Sequence, residues 1–529
     1  MQLFFVNLII FAAITYTVYF LIPSKFQWIV LLLSSLVFYA LIDYRMLLYV
    51  ALTVCSVFFC AKLICFLHET QAELFENRSS EWLKENRQKQ KEKYDSQRKL
   101  ILAVCLIFNF GLLAVLKYFS FLNWFINSLF SKIFNFSIPD IGLLLPLSFY
   151  IFQSAGYILD VYRRKYPAEQ NIAKFALFIT FFPQIMQGPI GRYDHLAPQL
   201  LASHKFESKQ FSDGLKLMFW GFIKKLLIAD ILSPFAARIL SDDSALGITI
   251  TVGILMRILQ LYANFSGGID VSRGIARCMG IEIAENFRRP FFAVSLFDFW
   301  RRWNITLGAW MKDYLLYSIT FSKGFFRLQK TLRKRFGNYA GKIIPSCMAM
   351  TFIFIVVGIW HGAALKWLAF GFYNGGLIGM IILLQPVAVK ISVLISGHKK
   401  VEKLLYFINV FKTFILVFFG MTLTAQGGLL AGLTYIKRII ISLFSPSTWL
   451  LLPSYLSKYN FGKEQMIFLF PSLAVFLTIS LLQENGYVIR NVFAKVPVFF
   501  RFSFYCFFIC YILIFARLVN VGLYLYGQF

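Results

Sequence analysis

The sequence predicts an all-α integral membrane protein, and three observations predict it. Of its 529 residues, 59% are hydrophobic and 15% charged, with a mean hydropathy of +0.67, whereas a soluble domain carries roughly 25% charged residues. Apolar stretches long enough to cross a bilayer, about 17–25 residues each, recur from end to end. The charges are gathered into short segments between those stretches. A backbone in lipid must satisfy its own hydrogen bonds, so stretches of this length read as helices.

In chain order the clear spans are 2–22, 27–43, 45–67, 100–117, 140–159, 343–361, 366–385, 404–424, 466–483 and 497–515. Three more, 170–190, 214–236 and 247–265, are interrupted by Pro, Gly or Lys. One polytopic domain over residues 1–529 is expected, with about eleven to thirteen spanning or re-entrant helices. The first apolar run has no basic leader and no small-residue cleavage site before Pro23, so it reads as a retained helix. Residues 68–99 form a mixed-charge, helix-prone loop. Residues 322–342 carry Lys323, Arg327, Lys330, Arg333, Lys334, Arg335 and Lys342 with no acidic residue. The positive-inside rule puts both loops in the cytoplasm.

The same rule disposes of nucleic acid as a partner. A formal net charge of +28 confined to short loops is what a polytopic protein facing an anionic leaflet needs. The eight cysteines fall mostly in or beside apolar runs without metal-site spacing, so no metal is expected. Cys506 and Cys510 lie one helical turn apart and suit packing.

What breaks the apolar pattern is a set of polar-aromatic blocks between residues 145 and 376. They are Leu145-Pro-Leu-Ser-Phe-Tyr-Ile-Phe-Gln-Ser154, Phe181-Phe-Pro-Gln-Ile-Met-Gln-Gly-Pro-Ile-Gly-Arg-Tyr193, Asn264-Phe-Ser-Gly-Gly-Ile-Asp270, Asp298-Phe-Trp-Arg-Arg-Trp-Asn-Ile-Thr-Leu-Gly-Ala-Trp-Met-Lys-Asp313 and Gly358-Ile-Trp-His-Gly-Ala363. On one helix, Trp300, Trp303, Asn304 and Trp310 would share an aromatic face. The chain has five histidines, and His361 alone follows a charge-free run, Ile343 to Trp360. A titratable group at membrane depth is costly and marks a pathway or a reacting centre, unless it is a hydrogen-bonded core residue. Position alone leaves both readings open.

Together these blocks resemble the membrane-bound O-acyltransferase family, and its bacterial branch in particular. That branch holds the membrane proteins of alginate O-acetylation, peptidoglycan O-acetylation and teichoic-acid D-alanylation. Trp300-Arg-Arg-Trp-Asn-Ile-Thr-Leu-Gly-Ala-Trp-Met-Lys-Asp-Tyr314 and Gly358-Ile-Trp-His-Gly-Ala363 match two of its signatures, and residues 182–192 and 265–270 match two more. The resemblance covers about residues 145–376. It implies a ring of helices around a tunnel, in a multi-pass protein of the bacterial cytoplasmic membrane surrounded by lipid.

In that tunnel an acyl group from a cytoplasmic thioester would meet an acceptor from the other side. The donor would be acetyl-CoA or an acyl-phosphopantetheine carrier protein, with no permanently bound cofactor. The acceptor would be a cell-envelope or exported polysaccharide, reached through an extracytoplasmic SGNH-type acetyltransferase partner. His361 would be the base that takes the acceptor's proton. Asn304 stands where sugar-modifying members carry histidine; an amide cannot be a base, so it would position groups or stabilise the oxyanion. Trp303, Trp360, Arg301, Asp270 and Gln187 would contact substrate, although Arg301, Asp270 and Asp313 also suit structural or entrance roles. The end, Tyr524-Leu-Tyr-Gly-Gln-Phe529 in the tail 517–529, resembles a short C-terminal motif of bacterial acyl-transfer systems. Tyr526 would then be a temporary acyl acceptor; the alternative is an interfacial anchor. D-alanyl transfer to teichoic acid is a second reading. A polytopic transporter is a third, but it should show inverted repeats, and the polar blocks crowd the middle of one unrepeated chain.

Overall fold

The computed structural model describes residues 2–77, 84–118, 147–185, 188–395, 399–445, 449–450, 452–459 and 463–518. Gln187 and Tyr526 lie outside them. Among the described residues the chain is helical, and the one piece of β pairing is an isolated bridge between Phe287 and Trp303. Eight helices are long and apolar enough to cross a membrane, with two shorter apolar ones at Asn7–Leu21 and Val498–Ile514. The expected eleven to thirteen included stretches that the chain breaks up. Among its described residues, region 170–190 is helical over Ile172–Thr180 and Phe182–Ile185, the two parted just before Pro183, which has no N–H to bond back into the first. Of the expected span 140–159, the described part is the helix Leu147–Tyr162.

Helices α1 (Gln2–Leu21), α2 (Gln27–Asp43), α3 (Arg45–Asn77) and α4 (Lys84–Lys117) open the chain. Asp43 ends α2 and starts α3, accepting from the Arg45 backbone N–H at 2.9 Å and pairing with its guanidinium at 2.7 Å. Much of the charged, helix-prone segment 68–99 is helix: α3 and α4 run on past their apolar parts. Glu and Lys spaced four apart favour this, as in the 2.7 Å Glu85–Lys89 pair. The basic segment 322–342 is likewise helical. It begins a 39-residue helix, Lys323–His361, that kinks at Gly337, where φ is +85°.

After α5 (Leu147–Tyr162), α6 (Ile172–Thr180) and α7 (Tyr193–Leu201), the region 214–236 is not one span. Helix α8 (Ser208–Phe222) passes through a π-helical turn, Ile223–Ala229, into α9 (Asp230–Leu240). The extra residue of a π turn rotates the two adjacent lysines inward. Each finds a carboxylate: Lys224 meets Asp270 at 2.7 Å and Lys225 meets Asp230 at 2.5 Å, all four groups buried. Asp270 is supplied by α10 (Gly247–Cys278), so the Asn264–Asp270 block lies within a helix, not after one. The two helices approach so closely that a Cβ on Gly221 would lie 2.6 Å from the Gly267 carbonyl.

Candidate functional site

Residues 298–313 do not form the single amphipathic helix expected. Helix α11 (Leu296–Arg302) stops at Trp303, and α12 (Ile305–Trp310) starts after Asn304. Asn304 sits in the left-handed region, φ +48° and ψ +53°, a conformation Asn tolerates better than most residues. The break turns the aromatic face apart. Trp310 is buried on the far side, donating to the Phe152 carbonyl at 2.8 Å, while Trp300 and Trp303 face a cavity.

The break is held by a short ladder. Arg288 N–H donates to the Arg302 carbonyl at 2.8 Å, and Ile305 N–H to the Asn286 carbonyl at 3.0 Å. The Asn286 side chain fixes the amide of Asn304. The Thr306 backbone N–H can only donate, so the atom it meets at 2.8 Å must be Asn286 Oδ1. Asn286 Nδ2 then donates to Asn304 Oδ1 at 3.0 Å. Asn304 therefore presents Nδ2, a donor with no partner among the described residues.

Beyond the short α13 (Tyr317–Thr320), His361 is the last residue of α14 (Lys323–His361), which packs against α15 (Leu365–Ile395). Gly358 makes the packing possible, since a Cβ there would lie 2.3 Å from the Trp367 carbonyl. The imidazole stacks on Trp367 at 4.8 Å between ring centroids and 20°, beside Trp360 at 4.7 Å and edge-on to Phe370 at 6.2 Å. Its position is set by rings, so both ring nitrogens remain available for proton exchange. No hydrogen bond to either is found among the described residues. The Trp360 indole Nε1 is a buried donor without a partner.

His361 and Asn304 line one cavity of about 530 Å³, with Trp300, Arg301, Trp303 and Trp360. Trp300 ties the α11 arm to α15, its indole N–H donating to Asn374 Oδ1 at 3.2 Å. Arg302, next to Arg301, points elsewhere and pairs with Glu484 at 2.9 Å and Asp298 at 3.0 Å. Asp270 does not reach this cavity; its partners are Lys224 and Arg273, the latter at 3.5 Å. Asp313 lies across α12 in a second, polar cavity of about 860 Å³, pairing with Arg192 at 2.6 Å.

Sequence reasoning missed Lys117. This last residue of α4 lines the cavity, donates to the Trp360 carbonyl and lies 5.1 Å from the centroid of that indole. Tyr118, the next residue, donates to the Ile359 carbonyl, so the helix end that carries His361 is capped by two consecutive side chains at the end of α4. The signal was a lone cation closing a charge-free run, 100–116 apart from its flank.

Residues 168–332 match the model of the membrane-bound O-acyltransferase family. A probable alginate O-acetylase of Azotobacter vinelandii is 31% identical over 378 residues, 70% of this chain and 66% of its own length. The peptidoglycan O-acetyltransferase of Helicobacter pylori is 27% identical over 65% of this chain and 62% of its own. The teichoic acid D-alanyltransferase of Bacillus subtilis is 24% identical over 44% of this chain and 58% of its own. The matched stretch thus spans somewhat less than two thirds of each of these relatives.

Proposed function

Because this chain belongs to the membrane-bound O-acyltransferase family, we propose that it transfers an acyl group, acetyl in the first instance, toward a cell-envelope or exported polysaccharide. One observation carries the reading: the imidazole of His361 and the free amide N–H₂ of Asn304 line the same apolar cavity. Acyl transfer to a hydroxyl needs a base for the attacking oxygen and a donor for the oxyanion that forms. His361 supplies the first and Asn304 the second, with the orphaned Trp360 indole N–H as a further donor. The apolar lining excludes water that would hydrolyse the thioester. Acetyl is preferred to D-alanyl because the relatives of higher identity are named for O-acetylation.

The donor is a thioester, acetyl-CoA or an acylated carrier protein, arriving from the cytoplasmic side. An SGNH-type partner receives the group beyond the membrane, and Tyr526 relays it. Replacing His361 with Ala tests the core of this reading. Ester-linked acetate on exopolysaccharide or wall from a complemented deletion strain is expected to disappear while the protein stays in the membrane. Acetate at wild-type levels would end the catalytic assignment of His361.

A further inference from the structure

A third cavity lies far from His361, at the opposite end of α4. That helix carries Arg87 near its start and Lys117 at its end, about 45 Å apart at 1.5 Å per residue. The cavity encloses about 580 Å³ between the extended ends of α3 and α4 and the turn that follows α5. Its charged lining is Arg87, Lys91, Arg98 and Arg164 against a single carboxylate, Asp95.

That carboxylate is already committed. Arg98 is 2% exposed, pairs with Asp95 at 2.5 Å and donates to the Leu67 carbonyl at 3.3 Å. Arg87, Lys91 and Arg164 have no carboxylate partner among the described residues. Arg164 is nonetheless held in place. His68 Nε2–H donates to the Tyr162 carbonyl at 3.2 Å, so its Nδ1 is the acceptor that Arg164 Nε meets at 2.7 Å. This fixes the stem and leaves the two Nη groups for something else. Arg87 lies over the Phe75 ring at 5.1 Å, oriented in the same way from the other wall.

One more atom is unmet. Gln71, 5% exposed, has a buried Oε1 with no partner and lines the same cavity. A buried acceptor left unpaired is costly, so the site lacks a hydrogen-bond donor as well as an anion. Planar guanidinium forks match phosphate oxygens in pairs. A phosphate ester bearing a hydroxyl or amino group satisfies every unmet group at once.

We propose that this cavity binds a phosphate ester, its oxygens held by Arg87, Lys91 and Arg164 and its hydroxyl or amino group donating to Gln71 Oε1. Two sources share that chemistry, the nucleotide end of a thioester donor and the headgroup of an anionic phospholipid. Binding here does not rest on the acyl-transfer reading, and its test needs no turnover.

The full-length protein is placed in lipid nanodiscs and offered two probes. Desulfo-coenzyme A is titrated by calorimetry, and phosphatidylglycerol retention against phosphatidylcholine is read by native mass spectrometry. Arg87 and Lys91 are exposed, so the Arg87→Gln/Lys91→Gln double variant is expected to keep the wild-type melting temperature. At least one probe is expected to bind tenfold more weakly to it, and Arg87→Lys/Lys91→Arg is expected to recover most of the loss. Loss confined to desulfo-coenzyme A assigns the site to the donor, and loss confined to phosphatidylglycerol assigns it to lipid. If the wild type binds neither probe, or the double variant binds both as the wild type does, the proposal is wrong.

Discussion

Asn304 does two things that substitution separates: it turns the backbone between α11 and α12, and it presents an amide N–H₂ to the cavity. Gly adopts the left-handed conformation freely, whereas Ala there is strained by about 1 kcal/mol. Asn304→Gly is therefore expected to fold like the wild type and Asn304→Ala to melt at a lower temperature. Both should lose turnover by about 10²-fold, what one missing oxyanion donor costs. Wild-type turnover in the Gly variant would return the side chain to a structural role. Asn304→His should keep partial activity, since His also tolerates this backbone region. Tyr526→Phe is expected to be expressed normally and inactive in transfer; intact-mass analysis of C-terminal peptides after incubation with donor should find an acyl adduct on the wild type alone. Normal polymer acylation by the Phe variant would reduce the tail to an anchor. His361 was legible in the sequence because a long charge-free run sets it off. Lys117 was not, because a single lysine closing an apolar helix looks the same when it snorkels to the interface. Nor could spacing show that Trp310 turns away from Trp300, for that depends on one backbone angle at Asn304.

At the scale of elements, the π turn Ile223–Ala229 is locked to α10 by charges as well as by apolar surface. Lys224 and Asp270 meet at 2.7 Å with side chains 5% and 13% exposed. Removing one member of such a pair leaves the other charge buried, at about 3–5 kcal/mol, while removing both together is far milder. Asp270→Asn is expected to lower the apparent melting temperature of the detergent-purified protein, followed by tryptophan fluorescence. Adding Lys224→Met should restore most of it. An Asn variant that melts with the wild type would show that the pair contributes little. The fold class and most spans were readable from apolar run lengths alone. Helix ends were not: α3 and α4 continue into charged sequence because helix propensity and Glu–Lys spacing do not depend on the membrane. The burial of two consecutive lysines was equally hidden, since it depends on Asp270 and Asp230 being brought beside them by the fold.

For the molecule as a whole, the contact between α4 and α14 fixes the relative direction of the charged segments. Lys117 and Tyr118, at the last turn of α4, donate to the carbonyls of Trp360 and Ile359 in the last turn of α14. Both helices begin in charged sequence, at Lys84 and Lys323. The two charged starts therefore leave the membrane on the same side, and His361 lies toward the other. The positive-inside rule assigns the charged side to the cytoplasm. Helix α3 ends in the same charged hairpin at Asn77, so its start, next to the 75%-exposed Tyr44, belongs to the opposite face. In a background with the native cysteines replaced, Lys89→Cys and Lys330→Cys should react with a membrane-impermeant maleimide only after cells are permeabilised. Tyr44→Cys should react in intact cells. The opposite pattern would reverse the orientation and, with it, the side from which a thioester donor can enter. Labelling of Lys89→Cys and Lys330→Cys from different sides would contradict the α4–α14 contact itself. The agreement of three single-cysteine positions thus tests the packing and the direction of transfer in one measurement.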